Sequence, residues 1–291
     1  MIPQPQNTKL LKWSGYSLEL HARTLVMGVL NVTPDSFYDG GKHRTLDDAV
    51  AHGLRMVEEG ADIIDVGGES TRPYSDPLPI DEELKRVMPV IEALSKKISL
   101  PISIDTYKSE VAVRALEAGA AMVNDISGLR FDPAIGTVVA ARGVPIVLMH
   151  MKGEPRNMQL NPVYDDLLGE IADFLSRAAE KAASMGIKRD LVIIDPGIGF
   201  GKSFDDNLMI LRELGRFSSL GYPLLVGTSN KSFIGHVLGL PVESRDTGTM
   251  ATIAAAVMNG AHIIRAHNVR AAKETVAMID AIKAGNSSPL A

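Results

Sequence analysis

The stretch Leu191-Val-Ile-Ile-Asp195-Pro-Gly-Ile-Gly-Phe-Gly-Lys202 joins a short apolar run to an aspartate and then to a glycine-rich turn. The apolar run is rich in β-branched residues, which is typical of a strand that is covered on both faces. Gly197, Gly199 and Gly201 allow the backbone after this strand to approach a ligand closely, and Lys202 is expected to place a charge nearby. A single segment of this kind is also typical of an ordinary turn, so its meaning depends on whether the pattern recurs.

Short apolar runs of this kind occur eight times along the chain. They cover residues 25–30, 62–66, 101–104, 121–124, 144–149, 191–194, 223–226 and 262–265. Apolar residues at helical spacing lie between them and predict helices over 49–58, 83–94, 111–118, 167–185, 206–214, 248–258 and 271–282. This alternation predicts a parallel sheet in the α/β class, either closed into a (β/α)8 TIM barrel or open and doubly wound. The count of eight, and the lack of a Gly-x-Gly-x-x-Gly motif after the first strand, favour the barrel.

The organisation of the 291-residue chain predicts a single domain. Barrels of about 250 residues commonly form one domain, and no linker rich in Pro, Gly or Ser divides the sequence. Residues 12–15 and 17–20 are expected to form a short hairpin at the bottom of the barrel, within an N-terminal extension of residues 1–23. The barrel is predicted to cover residues 24–284, and residues 285–291 form a tail.

The composition argues against several classes of protein. The chain has no cysteine, which excludes disulfides and thiolate chemistry and fits a reducing cytoplasm. Its formal net charge is -5 and it has no long basic run, so we expect no nucleic-acid partner. We see neither a signal peptide nor an apolar run of about 18 residues, so we expect no membrane partner.

Polar residues follow almost every predicted strand, at positions that a buried strand would not choose. Among them are Asn31, Asp65, Asp105, Asn124, His150, Asp195, Lys231 and Arg265. A lone Asp, Asn or Ser at such a position is most often a helix cap. Caps alone do not explain the same pattern at six or seven of eight strands, and barrel enzymes place their active sites at these strand ends. The sequence therefore predicts a polar site at one mouth of the barrel.

The residue types indicate what this site binds. Asp105, Asn124 and Asp195 come from three strands and are expected to converge. Two carboxylates and an amide can bind a flat ring with an amino-substituted amidine edge, because carboxylates accept hydrogen bonds from neighbouring N–H donors. Lys231 can donate to a ring oxygen or nitrogen, and Arg265 can stack on the ring or bind an anion.

An anion site is predicted beside the ring site. Arg265 and His267 lie at the end of the eighth predicted strand, where barrels often hold phosphate. Asn31 offers a neutral oxygen that suits Mg2+ shared with substrate phosphates, although asparagine is also common in turns. Thr71 and Ser232 can hydrogen-bond an anion or a carboxylate, or can cap a helix.

Taken together, these segments resemble the dihydropteroate synthase family of pterin-binding enzymes, from about residue 24 to residue 283. The resemblance is carried by Met27-Gly-Val-Leu-Asn31-Val-Thr-Pro-Asp-Ser-Phe37, Asp65-Val-Gly-Gly-Glu-Ser-Thr-Arg-Pro73, Ser103-Ile-Asp-Thr106, Val123-Asn-Asp125, Leu148-Met-His-Met151, residues 195–202, Lys231-Ser-Phe-Ile-Gly235 and Arg265-Ala-His267. The joint order and spacing of these segments make the match specific.

The resemblance implies an activity and its requirements. The reaction would condense 6-hydroxymethyl-7,8-dihydropterin diphosphate with 4-aminobenzoate to give 7,8-dihydropteroate and diphosphate in folate biosynthesis. The enzyme would be a transferase that uses Mg2+, forms a homodimer and is the target of sulfonamides.

The resemblance also implies roles for individual residues. The pterin would be bound by Asp105, Asn124, Asp195 and Lys231, with Met149 and Gly227 lining the pocket. Arg265 would pack on the pterin and join His267 and Asn31 at the diphosphate and Mg2+ site, while Thr71 and Ser232 would lie near the aminobenzoate. Mobile loops would contain Thr33, Pro34, Asp35, Phe37 and Arg72. The groups expected to take part in catalysis are Asp105, Lys231 and Arg265.

Two residues depart from the family's pattern, and two other functions remain open. Asn230 stands where the family usually has arginine, and Asn268 stands where it usually has aspartate, so both positions lose a charge beside the site. A methyltetrahydrofolate-dependent corrinoid methyltransferase would share the ring-binding residues but has less use for a diphosphate site. A non-catalytic pterin-binding paralogue would be expected to lack Lys231 or Arg265, and both are present.

Overall fold

The computed structural model describes residues 10–20, 22–33, 46–71 and 75–286, together with the backbone at 38–39 and 42–43. The predicted loop residues Pro34, Asp35, Phe37 and Arg72 lie outside the described residues.

The described chain begins with an antiparallel hairpin of β1 (Leu10–Trp13) and β2 (Tyr16–Glu19). Its two-residue turn places Gly15 at a φ of 84°, a left-handed conformation that glycine adopts without steric cost. The hairpin contacts the short 3-10 turn Arg189–Leu191, which lies at the N-terminal end of a barrel strand. The predicted hairpin at the barrel bottom is therefore confirmed.

After the hairpin, strands and helices alternate. The elements are β3 (Leu25–Asn31), β4 (Tyr38–Asp39), β5 (Lys42–His43), α1 (Leu46–Glu58), β6 (Ile63–Gly67), α2 (Ile80–Ser95), β7 (Ile102–Asp105), α3 (Ser109–Glu117), β8 (Met122–Asp125), α4 (Ala134–Arg142), β9 (Ile146–Met149), α5 (Leu167–Ser184), β10 (Val192–Asp195), α6 (Phe204–Arg212), β11 (Leu225–Val226), α7 (Ser232–Leu238), α8 (Asp246–Met258), β12 (Ile263–Ala266) and α9 (Val269–Ala284).

Eight of these strands form one parallel sheet in the order β10-β9-β8-β7-β6-β3-β12-β11. The first and last strands of this order also meet, through a parallel bridge between Ile194 and Leu224, and the sheet closes on itself. The side chains of the strands are almost all buried, as expected for a sheet covered by helices. The predicted (β/α)8 barrel is confirmed. The domain boundaries at residues 23 and 284 stay predictions.

Six of the eight strands end one residue later than predicted, and in four of them the added residue is a polar one whose backbone still pairs. Asp105 is the last residue of β7 and pairs with Gly67 and Asn124, and Asp195 is the last residue of β10 and pairs with Met149. The polar side chains are consequently held by the sheet itself and not by loose loops.

Two helices were missed by the sequence prediction. In α4 the apolar residues are spread around the helix, so the sequence lacks the one-sided pattern that predicts a helix. The other is α7, whose seven residues are too few to show a helical period. Among the described helices, none has the length and apolar character needed to cross a bilayer.

Two buried aspartates fasten the ends of the chain together below the barrel. Asp280 in α9 accepts hydrogen bonds from the backbone N–H of Thr24 (2.6 Å) and from its hydroxyl (2.9 Å). Asp62 binds both terminal nitrogens of Arg23, at 2.9 and 2.6 Å, and the N–H of Val26 at 2.8 Å. This network joins the first barrel strand to the last helix.

Candidate active site

The sheet register places four predicted or neighbouring positions in one row across the barrel mouth. Asn31 is the Cα partner of Gly67, Gly67 that of Asp105, and Asp105 that of Asn124. Because side chains alternate along a strand, Asp65 lies on the same face as Gly67, one layer deeper. The row and the layer directly below it therefore present two carboxylates and two amides to the barrel axis.

Arg265, from the last barrel strand, forms ion pairs with the carboxylates of Asp65 and Asp105. Its Nε lies 2.6 Å from Asp65 Oδ2, and one terminal nitrogen lies 2.7 Å from Asp105 Oδ2. Asn124 also donates to Asp65 Oδ2, at 3.0 Å, while Asp65 Oδ1 is buried without a hydrogen-bond partner. The result is a buried polar network in which one guanidinium serves two acids.

Burial sets the protonation of this network. It raises the pKa of Asp105 to about 7, and the positive charge of Arg265 opposes that rise. The nearby carboxylates of Asp65, Glu83 and Glu69 add to the rise because like charges disfavour the ionised form. Asp105 is thus a carboxylate whose charge depends on what lies beside it.

Asp195 and Lys231 form the second charged group at the mouth. The Asp195 carboxylate is almost fully buried and accepts a hydrogen bond from the N–H of Gly197 at 2.7 Å. Lys231 donates to the carbonyl of Ile198, and its Nζ lies 4.2 Å from the centroid of the Phe200 ring. Burial raises the pKa of Asp195 and lowers the pKa of Lys231 to about 7, and the attraction between the two opposes both shifts.

A small apolar cluster, separate from the main core, forms a wall beside these polar groups. Met149 packs with Ile126, Met151 and Met158, and the rings of Tyr107, Phe131 and Phe200 pack against this cluster. Met149 is the Cα partner of Asp195, so the wall begins directly beside that carboxylate. A flat ring held by the acids would have methionine and aromatic side chains to pack on.

Gly227, at the end of β11, leaves space next to Arg265. A Cβ atom at Gly227 would lie 3.5 Å from the Cβ of Arg265 and 3.9 Å from its Cδ. That is ordinary van der Waals contact, so any larger side chain would compete with the arginine stem for space. That Gly227 lines the pterin pocket stays a prediction.

His267 and Asn31 meet at the rim of the mouth. The Nε2 atom of His267 lies 3.5 Å from the side-chain nitrogen of Asn31, and its Nδ1 lies 2.8 Å from the hydroxyl of Ser229. His267 is exposed, so a ligand at the rim can reach its ring. The structure therefore brings together the two residues predicted to bind an anion and a metal.

The residues predicted to lie near the second substrate come from different loops. Thr71 is half-buried in the loop after β6, Ser232 is exposed as the first residue of α7, and Thr33 is buried just after β3. Their roles in binding and in loop movement stay predictions.

The sequence interpretation missed three residues of the site and misplaced one. Asp65 was recognised as a strand end but not as a partner of Arg265, although it lies two residues before Gly67 on the same strand face. Phe200 under Lys231 and Ser229 beside His267 gave no signal in the sequence beyond their neighbours. Lys202 was expected to offer its charge to a ligand, but it is only 2% exposed and bonds to His150.

The two departures from the family's pattern have local explanations. Asn230 has a φ of 59°, a left-handed conformation that asparagine tolerates better than most residues. The carbonyl of Asn230 accepts a hydrogen bond from Arg245 at 3.0 Å, so a guanidinium is present nearby. Asn268 caps α9 by accepting from the N–H of Ala271, and its amide nitrogen donates to Asp246 at 3.0 Å.

Asn268→Asp is expected to lower the free energy of unfolding by roughly 0.5–1 kcal/mol, because a second carboxylate would replace the donor that faces Asp246. The loss should shrink in high salt, since the pair is exposed and screened. Urea denaturation of the variant, alone and with Asp246→Asn, measures the effect. The double variant should recover the loss, and an additive further loss would contradict the explanation.

Comparison with known proteins agrees with this geometry. The family described as pterin binding enzyme matches residues 27–267. The dihydropteroate synthase of Bacillus subtilis is 46% identical over 275 residues, which cover 94% of each chain. Dihydropteroate synthase from Yersinia pestis in a sulfonamide drug complex superimposes with a TM-score of 0.90 at 42% identity, covering 94% of this chain and 99% of that one.

A second solved structure is similar in the same way. Dihydropteroate synthase from Xanthomonas albilineans with 4-aminobenzoic acid has a TM-score of 0.89 and 45% identity, covering 96% of this chain and 99% of that one. These matches extend over nearly the full length and include every strand that supplies a residue to the mouth. The chain belongs to the family of pterin-binding enzymes.

Proposed function

We infer that this chain is a dihydropteroate synthase, a transferase that joins 6-hydroxymethyl-7,8-dihydropterin diphosphate to 4-aminobenzoate in folate biosynthesis. The observation that carries this inference is the meeting of Asp105, Asn124, Asp195 and Lys231 at one barrel mouth beside an apolar wall. Relatives called dihydropteroate synthase match the chain over nearly its full length, and one of them is solved with 4-aminobenzoic acid.

The site suits the pterin ring. A pterin has neighbouring N–H donors on its amino-substituted edge, and Asp195 can accept from two of them at once. Lys231 can donate to the ring carbonyl or to a ring nitrogen, while the face of the ring packs on Met149 and Phe200. Asn124 can both donate and accept at the opposite edge.

The chemistry follows from the charges around the methylene carbon. The bond between this carbon and the diphosphate oxygen breaks with its electron pair left on the diphosphate, and a bond to the amine nitrogen of aminobenzoate forms while that nitrogen loses a proton to the released diphosphate or to water. Positive charge that develops on the pterin methylene is stabilised by the carboxylate of Asp105, and negative charge on the departing diphosphate is stabilised by Arg265 and His267. No covalent intermediate with the enzyme is required.

Arg265 can interact both with the departing diphosphate and with the acids beside the pterin. Without ligand it neutralises Asp65 and Asp105 together, at 2.6 and 2.7 Å. When a diphosphate binds at the rim, the guanidinium lies between the anion and these acids and is attracted to both. The carboxylate of Asp105 is then less neutralised and better able to stabilise a cation on the pterin.

The donor set at the rim fits a Mg2+ ion that is shared with the substrate. Within the described part of the chain, no group of three His, Asp, Glu or Cys side chains could hold a metal. The amide oxygen of Asn31 is half-buried beside Gly67, and a single neutral oxygen suits an ion that keeps most of its water and binds phosphate oxygens. Such an ion would add positive charge to the diphosphate when bound.

A homodimer is proposed for the assembly. Large apolar side chains are exposed on α7, α8 and α9, including Val237, Met258, Met278 and Ile282. These helices are neighbours, and exposed apolar side chains that gather on neighbouring helices are typical of a contact with another chain. Light scattering of the purified protein should give twice the chain mass of 31.2 kDa. The cytoplasmic location expected from the cysteine-free sequence stays a prediction.

A release assay tests the proposed reaction. Purified protein with Mg2+ and the pterin diphosphate should release diphosphate only when 4-aminobenzoate is also present, and 7,8-dihydropteroate should accumulate in equal amount. Release that is independent of aminobenzoate, or no release at all, would contradict a synthase. Methyl transfer from methyltetrahydrofolate to a corrinoid would support the methyltransferase, and pterin binding without any turnover would support a non-catalytic paralogue.

The rate should depend on pH in a bell shape centred near neutrality. The pKa of Asp105 is raised to about 7, so its stabilising carboxylate is lost as the pH falls through that value. The pKa of Lys231 is lowered to about 7, so its ammonium is lost as the pH rises through the same value. A profile of kcat/KM from about pH 5.5 to about pH 9.5 measures both limbs.

Lys231→Arg provides the control for this profile, because arginine keeps its charge across the range. The alkaline limb should move upward or disappear in this variant while the acidic limb stays in place. An unchanged alkaline limb would show that another group causes it.

A further inference from the structure

Lys202 is a buried lysine that takes no part in the proposed reaction. Its side chain is 2% exposed, at the end of the glycine-rich loop 197–201 that follows β10. Burying an ammonium group is costly unless its donors are satisfied, and burial lowers the pKa of Lys202 well below its ordinary value. A residue kept at such a position is expected to serve either the fold or the site.

The partners of Lys202 are all acceptors and lie on two different loops. Its Nζ is 2.9 Å from His150 Nδ1 and 3.4 Å from the His150 carbonyl, both in the segment after β9. The third acceptor is the Phe200 carbonyl in its own loop, at 3.0 Å. In its ammonium form Lys202 has three donors and no acceptor, so each donor has one partner and His150 Nδ1 is the acceptor of one of them.

The two loops that Lys202 joins are already in close contact. Gly197 has a φ of 71°, and a Cβ atom there would lie 1.9 Å from the His150 carbonyl oxygen. Gly201 has a φ of 63°, and a Cβ atom there would lie 2.3 Å from the Lys152 carbonyl oxygen. Side chains at positions 197 and 201 would clash with the neighbouring segment, so the loop can lie this close only with glycine there, and Lys202 hydrogen-bonds to both segments.

The same loop holds both members of the second charged group. Its Gly197 N–H binds the carboxylate of Asp195, and its Ile198 carbonyl accepts from Lys231. The ring of Phe200 lies under the Lys231 ammonium at 4.2 Å. A shift of the loop would therefore move the acceptor and the donor that face the pterin, at the same time.

We propose that Lys202 is a positioning residue, which braces the glycine-rich loop against the His150 segment and so fixes Asp195 and Lys231 for pterin binding. The proposal rests on the proposed function, since the pterin is the ligand that these two groups would hold. It differs from a purely structural role in its consequence. Loss of the brace should weaken pterin binding selectively, and should leave the aminobenzoate side of the site as it is.

Lys202→Met keeps the length and apolar stem of the side chain and removes its three hydrogen bonds. The Kd for 6-hydroxymethyl-7,8-dihydropterin diphosphate, measured by calorimetry, should rise about tenfold or more. The KM for 4-aminobenzoate at saturating pterin diphosphate should stay within about twofold. Amide hydrogen exchange of residues 197–201 in the ligand-free enzyme should become about tenfold faster.

A matched control lysine is present in α5. Lys181 is exposed overall, but its Nζ donates to the carbonyl of the buried residue Leu129 at 2.7 Å, outside the mouth. Lys181→Met should change neither the Kd for the pterin diphosphate nor exchange in the glycine-rich loop. His150→Phe provides a second route, because it keeps an aromatic ring against Phe174 but lacks the Nδ1 acceptor, and it should reproduce the Lys202→Met pattern.

The outcomes of these experiments distinguish a failure of the positioning role of Lys202 from a failure of the proposed function. Pterin Kd and loop exchange within about twofold of wild type in Lys202→Met would overturn the brace, as would an equal rise in the aminobenzoate KM. If Lys202→Met does not fold, the His150→Phe variant decides by the same measurements. If the wild-type enzyme binds no pterin, the proposed function fails, and hydrogen exchange alone still decides whether Lys202 orders the loop.

Discussion

Arg265→Met is expected to lower kcat/KM for diphosphate release by roughly 10²–10³-fold, because it removes a donor that stabilises the departing anion. The same change leaves Asp65 and Asp105 without their shared cation in the barrel interior. Removing one partner of a buried ion pair typically costs about 3–5 kcal/mol of folding free energy, so stability should fall as well. Steady-state kinetics and urea denaturation measure the two effects separately.

Two further variants distinguish the catalytic loss from the loss of stability. Arg265→Lys retains a positive charge but cannot bind both carboxylates with a planar fork, so its activity should be intermediate. In Arg265→Met combined with Asp105→Asn, one unpaired acid is removed, so part of the stability should return while activity stays low. Wild-type kcat/KM in Arg265→Met would exclude the arginine from the reaction.

The sequence was sufficient to predict the barrel because its signals are repeated. Eight apolar runs of similar length, each followed by a polar residue, leave few folds possible, and the site then lies at the strand ends by the geometry of barrels. The sequence predicts Asp105, Asn124 and Asp195 on this basis. In the structure Asp105 and Asn124 are Cα partners, and Asp195 is the last residue of β10 at the same end of the barrel, while their role in binding stays a prediction.

The sequence could not predict which side chains of the site form hydrogen bonds and ion pairs with each other. Asp65 and Arg265 are 200 residues apart, and only the closed ring of strands places them at 2.6 Å. The position of Lys202 depends on the direction in which a glycine-rich loop folds, and a run of glycines permits several directions. The result is that the types of residue in the site were predictable while the hydrogen-bond network that orients them was not.

Asp195→Asn is expected to raise the Kd for the pterin diphosphate about 100-fold, because two charge-assisted hydrogen bonds of about 1.5–3 kcal/mol each depend on a carboxylate acceptor. Asn has the same shape, and its oxygen can keep the 2.7 Å bond from the Gly197 N–H. Its amide nitrogen would then face the N–H groups of the pterin, where a donor meets a donor. Calorimetry with the pterin diphosphate measures the loss.

Stability should change in the opposite sense. Burial raises the pKa of Asp195, so the native state binds its proton more tightly than the unfolded chain does, and the ionised form at neutral pH opposes folding. Replacing the carboxylate by a neutral amide should therefore leave the free energy of unfolding unchanged or increase it.

Asp206→Asn is the matched control, since Asp206 caps α6 just beyond the same loop and should leave pterin affinity unchanged. An Asp195→Asn variant that binds the pterin normally would remove this carboxylate from the site. Weak binding in a variant with a higher free energy of unfolding would show the opposite: the enzyme keeps a buried charge that binds its substrate and lowers its own stability.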